Sequence, residues 1–580
     1  MTTVPPPFAL RDYAVLADGE RGVLVGPHGE MAWMCFPEWD SPSLFSSLLG
    51  GAGSYQVTPA EDRFVWGGYY DESTLMWNNR WVTTDAMVEC RDSLAFPGGP
   101  HTAVILRRVR AIRGRARVRV RLDLRADYGR RPMGRVQGRA GVWTATSGPV
   151  RMRWRAGAGV RRLRSGELTL PLDLAEGEHR DLILELCTEP ITGQMLPADE
   201  LWKATEESWH RTVPALEHTP APRDAAHAFA VMRGMTTASG GMVAAATMSL
   251  PERAEAGRNY DYRYAWVRDQ CFAGQAAATV GGGEQLLDSA VRFVSERLQA
   301  DGPDLKPAYR SGGGRVPDEA DLPHLPGYPG GRVKVGNQVN SQFQLDGLGE
   351  SLLLLAAAAR RDRLESDHWK AAEIAVDAVA ARWQEPDAGI WELDNRWWTH
   401  SRLMCVAGLR QIAAGTGGAQ AGRWTTLADT IAAEVAHTCV HPSGRWQRAP
   451  DDPRVDAALL LPAIRGGVPA ADPRNRATLA SIEEELCQDG YVYRYRHDDR
   501  PLEEAEGAFS LCGFALALAF LQEDRREEAV AWFERNRASC GPPGLLTEEF
   551  DVGERQLRGN VPQAFVHAML LETASRLGGG

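Results

Sequence analysis

The period of the apolar pattern changes near residue 215, and that change commits the chain to a two-part fold. Before it, apolar and polar residues alternate in runs such as AVILRRV (103–109), ARVRVRLDL (116–124) and LRSGELTLPLDL (163–174). Alternation marks strands with one buried face, because successive side chains of a strand point to opposite sides. PGGP (97–100) and SGP (147–149) supply turns between such runs. Many strands in one block predict a large antiparallel β-sandwich, with its linker, over residues 1–215.

After residue 215 the spacing becomes i, i+3, i+4. Twelve candidate helices begin near 223, 265, 285, 341, 366, 402, 423, 455, 474, 505, 523 and 561. TLADTIAAEVAHTCV (426–440) and REEAVAWFERNRA (526–538) carry one apolar stripe. AAEIAVDAVAARW (371–383) is apolar on more than one face, as expected of a helix lying between two layers. The spacing predicts a double-layered helical barrel over residues 216–580.

Charge and motif content narrow the function. The net charge of −11 argues against nucleic acid or an anionic membrane surface as the main partner. The Arg-rich stretch 107–139 reads as the solvent face of strands, since in RVRVRLDLR the arginines alternate with Val and Leu. The amino-terminal stretch lacks a cationic start followed by an apolar segment, so no secretory leader is expected. The longest apolar run, Leu352 to Ala359, is well short of the roughly 18 residues that span a membrane. Nine scattered cysteines without a CxxC predict reduced thiols in a cytoplasmic protein. No GxGxxG follows a strand, and neither a P-loop nor an HExxH or HxH pattern occurs, so no cofactor and no metal are expected. These features leave a small molecule as the expected partner and leave homo-oligomerisation open.

Several polar residues sit among aromatics where a sugar could bind. Trp266 lies in AWVRD, Trp391 in GIWEL, and Trp397–Trp398 in NRWWTHSR, which also contains His400. A flat apolar ring beside carboxylates and Arg suits a pyranose, and equally suits an ordinary core. Glu392 follows Trp391 in a loop; an adjacent aromatic would raise its pKa, as a general acid needs. Glu548 and Glu549 follow a PPG break in LLTEEFD. Asp261, Arg268 and Asp269 lie in NYDYRYAWVRDQ (259–270), where buried charges demand partners and an Arg–Asp pair can bind sugar hydroxyls.

Together these segments resemble glycoside hydrolase family 15, the glucoamylase-like family. NYDYRYAWVRD resembles the family's sugar-binding loop, and GIWE (389–392) the loop of its general acid. LLTEEFD with GNVPQAFVHAML (559–570) resembles the general-base loop and last helix. Residues 12–51 resemble the opening of the bacterial members' sandwich domain. The resemblance implies a β-sandwich followed by an (α/α)6 barrel, and inverting, exo-acting hydrolysis of α-glucosidic bonds. It places Glu392 as general acid and Glu548 as general base, with Glu549 beside it. It places Tyr262, Trp266, Arg268 and Asp269 around the terminal sugar, with Arg494 of VYRYR near it. Inversion requires the two carboxyls to stand roughly 6.5–9.5 Å apart to admit a water. Two departures bear on the leaving-group side. Leu393 stands where fungal glucoamylases carry a second Glu, and Ala508 stands where they carry an aromatic. An α-glucan and a short disaccharide such as trehalose or isomaltose are therefore both compatible with these residues.

Two alternatives use the same architecture. A disaccharide phosphorylase would place phosphate donors where Glu548 and Glu549 stand. A non-catalytic sugar-binding regulatory module would not need both glutamates.

Overall fold

The computed structural model describes residues 6–253, 258–497 and 500–579. The first five positions of the stretch read for a leader therefore lie outside the described residues.

Two eight-stranded antiparallel sheets form the amino-terminal part. One orders Ala14–Ala17, Gly22–Val25, Glu30–Cys35, Ser54–Pro59, Ala116–Asp123, Leu168–Leu174 and Arg161–Arg162, with Ser43–Phe45 on Glu30–Cys35. The other orders Gly134–Arg139, Val142–Ser147, Val150–Arg155, His179–Cys187, Thr102–Gly114, Ala86–Leu94, Trp77–Val82 and Val65–Tyr70. Alternation sets which side faces in: Val118, Val120 and Leu122 are buried opposite Leu172, Leu170 and Leu168, while Arg117 and Arg119 face solvent. Arg107 departs from that pattern. It is fully buried, pairs with its cross-strand neighbour Asp92 at 2.8 Å, and donates to the carbonyls of Tyr55 and Gly29. A buried guanidinium is tolerated because every branch finds an acceptor.

Fourteen helices follow among the described residues: α1 Ala198–Thr212, α2 Pro222–Gly234, α3 Val267–Ala278, α4 Glu284–Asp301, α5 Asp346–Ala359, α6 Ser366–Arg382, α7 Thr399–Ala414, α8 Gly418–Thr438, α9 Leu461–Ile464, α10 Pro473–Glu485, α11 Leu502–Ala505, α12 Ser510–Gln522, α13 Arg526–Arg537 and α14 Ala564–Gly578. Twelve of them match the expected starts. The additional two are α1, which precedes residue 215, and the single turn α11.

The helices close a double ring. α3, α5, α7, α9, α12 and α14 each contact the next, and α14 returns to α3. Outside them α4 packs on α3, α6 on α5, α8 on α7, α13 on α12 and α2 on α14. α10 packs on the 3₁₀ turn Ala457–Leu460 that leads into α9. Inner helices are buried all round, as in α5 and α12. α6, expected between two layers, lies in the outer ring instead. Its Lys370, Glu373 and Asp377 face solvent, and small alanines between them had masked the stripe.

The sandwich and the barrel share one hydrophobic core, in which Val15, Leu24 and Trp33 join residues of the inner helices. The Trp33 indole donates to the carbonyl of Ala246 at 3.1 Å across the junction. Among the described residues no helix is long and apolar enough to cross a membrane.

Candidate active site

A cleft of about 710 Å³ opens where the inner helices begin. Its walls include Arg268 at the start of α3, Trp398 before α7, Phe509 before α12 and Phe565 at the start of α14. Helix starts present unpaired N–H groups and a partial positive charge, which suits an oxygen-rich ligand.

One side is built by the extended segment 259–266. Its side chains alternate. Asp261 and Arg263 are buried toward the sandwich, whereas Tyr262 lines the cleft. Arg263 is paired with Asp261 at 2.7 Å and donates to the carbonyl of Ser41 and to Cys35 Sγ. The sandwich thereby anchors the segment that carries Tyr262 and Trp266.

The opposite side is the loop between α6 and α7. Asp387 and Arg396 exchange backbone hydrogen bonds that close it. The buried Asp387 carboxylate accepts from Ser401 Oγ, the Gly389 amide and the Arg402 guanidinium. Gly389 is required there: its φ is 67°, and a Cβ would sit 2.8 Å from the Trp398 ring. Glu392 itself is left-handed, with φ 54°. That conformation costs a non-glycine residue about 1–2 kcal/mol, and the closed loop holds it.

Glu392 Oε1 accepts the Trp266 indole N–H at 2.8 Å and lies 3.7 Å from Arg268 Nη2. Arg268 also donates to Gln344 at 2.6 Å and contacts Asp346 at 3.4 Å. Trp391 was the aromatic expected to act on Glu392. Its indole instead donates to Asp456 at 2.8 Å and its ring packs edge-on against Phe509, so Trp266 is the ring that serves Glu392.

Across the cleft, Tyr262 Oη lies 3.2 Å from Glu548 Oε2 and 3.2 Å from Glu252 Oε1. Burial and the neighbouring Glu252 push the Glu548 carboxyl well above the ordinary carboxylate range. Glu252 and Glu549 are pushed up as well, both chiefly by burial. Arg494 donates to Glu506 at 2.5 Å and to Glu549 at 3.4 Å. Burial raises the Glu506 carboxyl, but Arg494 and His497 outweigh it and hold it down to about 2.

Of the residues expected from the sequence, Tyr262, Arg268, Trp391, Glu392, Arg494 and Glu548 line the cleft together. Trp266 and Glu549 reach it through Glu392 and Arg494. Asp269 is not in the lining either: it is buried one position beyond Arg268, and its Oδ1 has no hydrogen-bond partner. His400 is not in the lining. It sits behind the wall beside Trp391 and Asp456, with neither ring nitrogen bonded, and burial pulls its pKa down to about 3. Leu393 lines the cleft, and Phe509 supplies an aromatic next to Ala508. Glu252, Arg258, Arg448 and Phe509 belong to the cleft without having been foreseen. An acidic residue ending the mostly apolar run before Arg253 was the available signal for Glu252.

Comparison with known proteins bears on the family and the fold. The family model "Glycosyl hydrolases family 15" matches residues 230–575, and the model "Trehalase-like, N-terminal" matches residues 7–186. The chain is 30% identical to a protein named Trehalase from Mycolicibacterium smegmatis, covering 98% of this chain and 90% of that one. It is 29% identical to Trehalase 1 of Sulfolobus acidocaldarius, covering 97% and 98%. A bacterial glucoamylase solved with acarbose shares the fold, with a TM-score of 0.74 at 13% identity over 99% of this chain and 94% of the other. The chain belongs to glycosyl hydrolase family 15.

Proposed function

We propose that the protein hydrolyses an α-glucosidic bond from the non-reducing end with inversion, and that its substrate is α,α-trehalose. The observation that carries this is the placement of Glu392 and Glu548 on one cleft, each served by a different ring of the Tyr262–Trp266 pair. Glu392, close to Arg268 and partly open to the cleft, protonates the leaving oxygen. Glu548 takes the proton of a water that attacks the anomeric carbon from the other face. Arg268, Asp269 and Tyr262 hold the glucose whose anomeric carbon is attacked. Trp391 and Arg494 form the floor of that subsite, since the Arg494 guanidinium lies over the Trp391 ring.

The choice of trehalose rests on the two trehalase relatives, which match almost end to end, and on the trehalase-like amino-terminal segment. The cleft volume falls within the roughly 300–1,000 Å³ typical of small-molecule sites, enough for a disaccharide. Leu393 in the wall is compatible with a substrate lacking a long leaving chain. A carboxylate at Glu548 would repel phosphate, which disfavours a phosphorylase. All nine cysteines are unpaired, as suits the reducing cytoplasm we propose for the protein.

Proton NMR of the anomeric signals tests this with trehalose, maltose, isomaltose and maltoheptaose, each with and without phosphate. Initial release of β-glucose with α-glucose from trehalose supports it. Faster turnover of maltose or maltoheptaose would replace the substrate, and sugar phosphate formed only with phosphate would replace the reaction.

A further inference from the structure

Arg448 lines the cleft at 4% exposure, and no step above uses it. A guanidinium carries five N–H donors, and burying them unfilled is costly. Arg448 fills one side only: its Nε donates to Asp456 at 3.0 Å. Nη2 is buried with no partner. Nη1 stands 3.8 Å from Asp452, beyond hydrogen-bond reach. Three other arginines of the cleft are occupied. Arg494 is taken up by Glu506 and Glu549, Arg454 grips Asp452 with two nitrogens, and Arg268 donates to Gln344.

The guanidinium is also held in place. It lies 3.8 Å over the Tyr495 ring and 5.0 Å from the centre of the Trp398 ring. Stacking fixes the plane of a guanidinium, and its N–H groups point along that plane. The backbone is pinned on both sides: the Arg448 carbonyl accepts from the Thr399 amide, and the Arg448 amide donates to the Arg454 carbonyl. Asp456, which holds Nε, also accepts the Trp391 indole at 2.8 Å, so Arg448 is tied to the floor of the terminal-sugar subsite. Glu392 protonates the leaving oxygen, so the departing sugar rests on the wall that continues from Glu392. Leu393 and Arg448 belong to one patch of that wall. Leu393 has no polar group to offer a hydroxyl, whereas Arg448 has unfilled donors.

We propose that Arg448 is a specificity-determining residue: its free Nη edge donates to a hydroxyl of the sugar that leaves. The inference rests on the reading of the cleft as an exo-acting α-glucosidase with Glu392 as acid. A hydroxyl oxygen accepts from a guanidinium, and a leaving group without hydroxyls makes no such contact.

The test compares kcat/KM of Arg448→Ala and Arg448→Lys on trehalose and on α-glucosyl fluoride, whose leaving group is a single atom. Circular dichroism confirms the fold. Arg448→Ala lowers kcat/KM for trehalose by about 10–100-fold, the loss of a hydrogen bond from a charged donor. The fluoride loses far less. Lys keeps the charge beside Asp456 without the planar donor edge, so Arg448→Lys still loses more on trehalose than on the fluoride. That variant decides the matter if Arg448→Ala fails to fold. Equal losses on both substrates would mean that Arg448 only holds Asp456 and Trp391 in place, which overturns the proposal. Wild-type rates on both substrates overturn it too. The underlying reading fails differently. If the wild type cleaves maltose faster than trehalose, the substrate changes, and the same comparison on maltose against the fluoride decides the role of Arg448. If the wild type cleaves no disaccharide, there is no leaving sugar and both readings fall.

Discussion

The rings of Tyr262 and Trp266 meet edge to face with centroids 5.4 Å apart, and their polar atoms reach opposite sides of the cleft. Trp266 donates to Glu392, while the Tyr262 hydroxyl lies against Glu548. One short extended segment therefore sets the positions of both carboxylates, although they arrive on loops far apart in the chain. That geometry makes the roles of the two glutamates separable by experiment.

Glu392→Gln lowers kcat for trehalose by about 10²–10⁴-fold, the usual contribution of general acid catalysis. α-Glucosyl fluoride, whose leaving group needs no proton, loses far less. Glu548→Gln loses activity on both substrates. Initial rates by glucose and fluoride release check this; equal losses on both substrates in Glu392→Gln would contradict the acid role.

Trp266→Phe keeps the ring and removes the N–H that Glu392 accepts at 2.8 Å. As Glu392 gives up its proton the contact becomes a hydrogen bond to a charged group, worth about 1.5–3 kcal/mol, so kcat falls by about 10–100-fold. Steady-state kinetics read it directly, and a wild-type kcat would show that the contact does not orient Glu392.

Arg263→Ala acts on the same segment from behind. Arg263 is fully buried against Asp261 and the sandwich carbonyls. Removing one partner of a buried pair costs about 3–5 kcal/mol. Urea unfolding shows that loss as a lower midpoint, and kcat falls although Arg263 is not in the cleft lining. A stable variant with full activity would mean that the sandwich does not position Tyr262.

Glu350 on α5 is buried with Oε1 unpartnered, and burial pushes its pKa up from 4.5 to about 7. The folded state therefore holds this proton more tightly than the unfolded chain. As pH rises from 4.5 through 7 the unfolded chain releases it first, and the contribution of Glu350 to stability declines by up to about 3 kcal/mol over that window. Glu350→Gln lacks this share, while Glu30 and Asp269, also pushed up to about 7, keep theirs, so the variant declines less steeply than the wild type. Unfolding free energies at pH 5 and pH 8 check it: the two proteins should differ in their pH dependence, and parallel behaviour would mean that Glu350 is ionised when folded.

The sequence by itself determined the architecture and the two glutamate loops. Alternation over 103–124 and the 3.6-residue period after 215 report which face of each element is buried, so strands and helix starts could be read directly. NYDYRYAWVRD, GIWE and LLTEEFD are local patterns, and each proved to border the same cleft. Periodicity does not say what a buried face meets. That limit placed α6 in the wrong ring, put Arg107 on the solvent side and drew His400 into the site. Only the tertiary structure decided that Trp266 rather than Trp391 serves Glu392, and that Glu252 and Glu548 meet at the Tyr262 hydroxyl. Hydrogen-bond partners are chosen by side-chain direction across segments far apart in sequence, and direction exists only once the two layers of the barrel have packed against the sandwich.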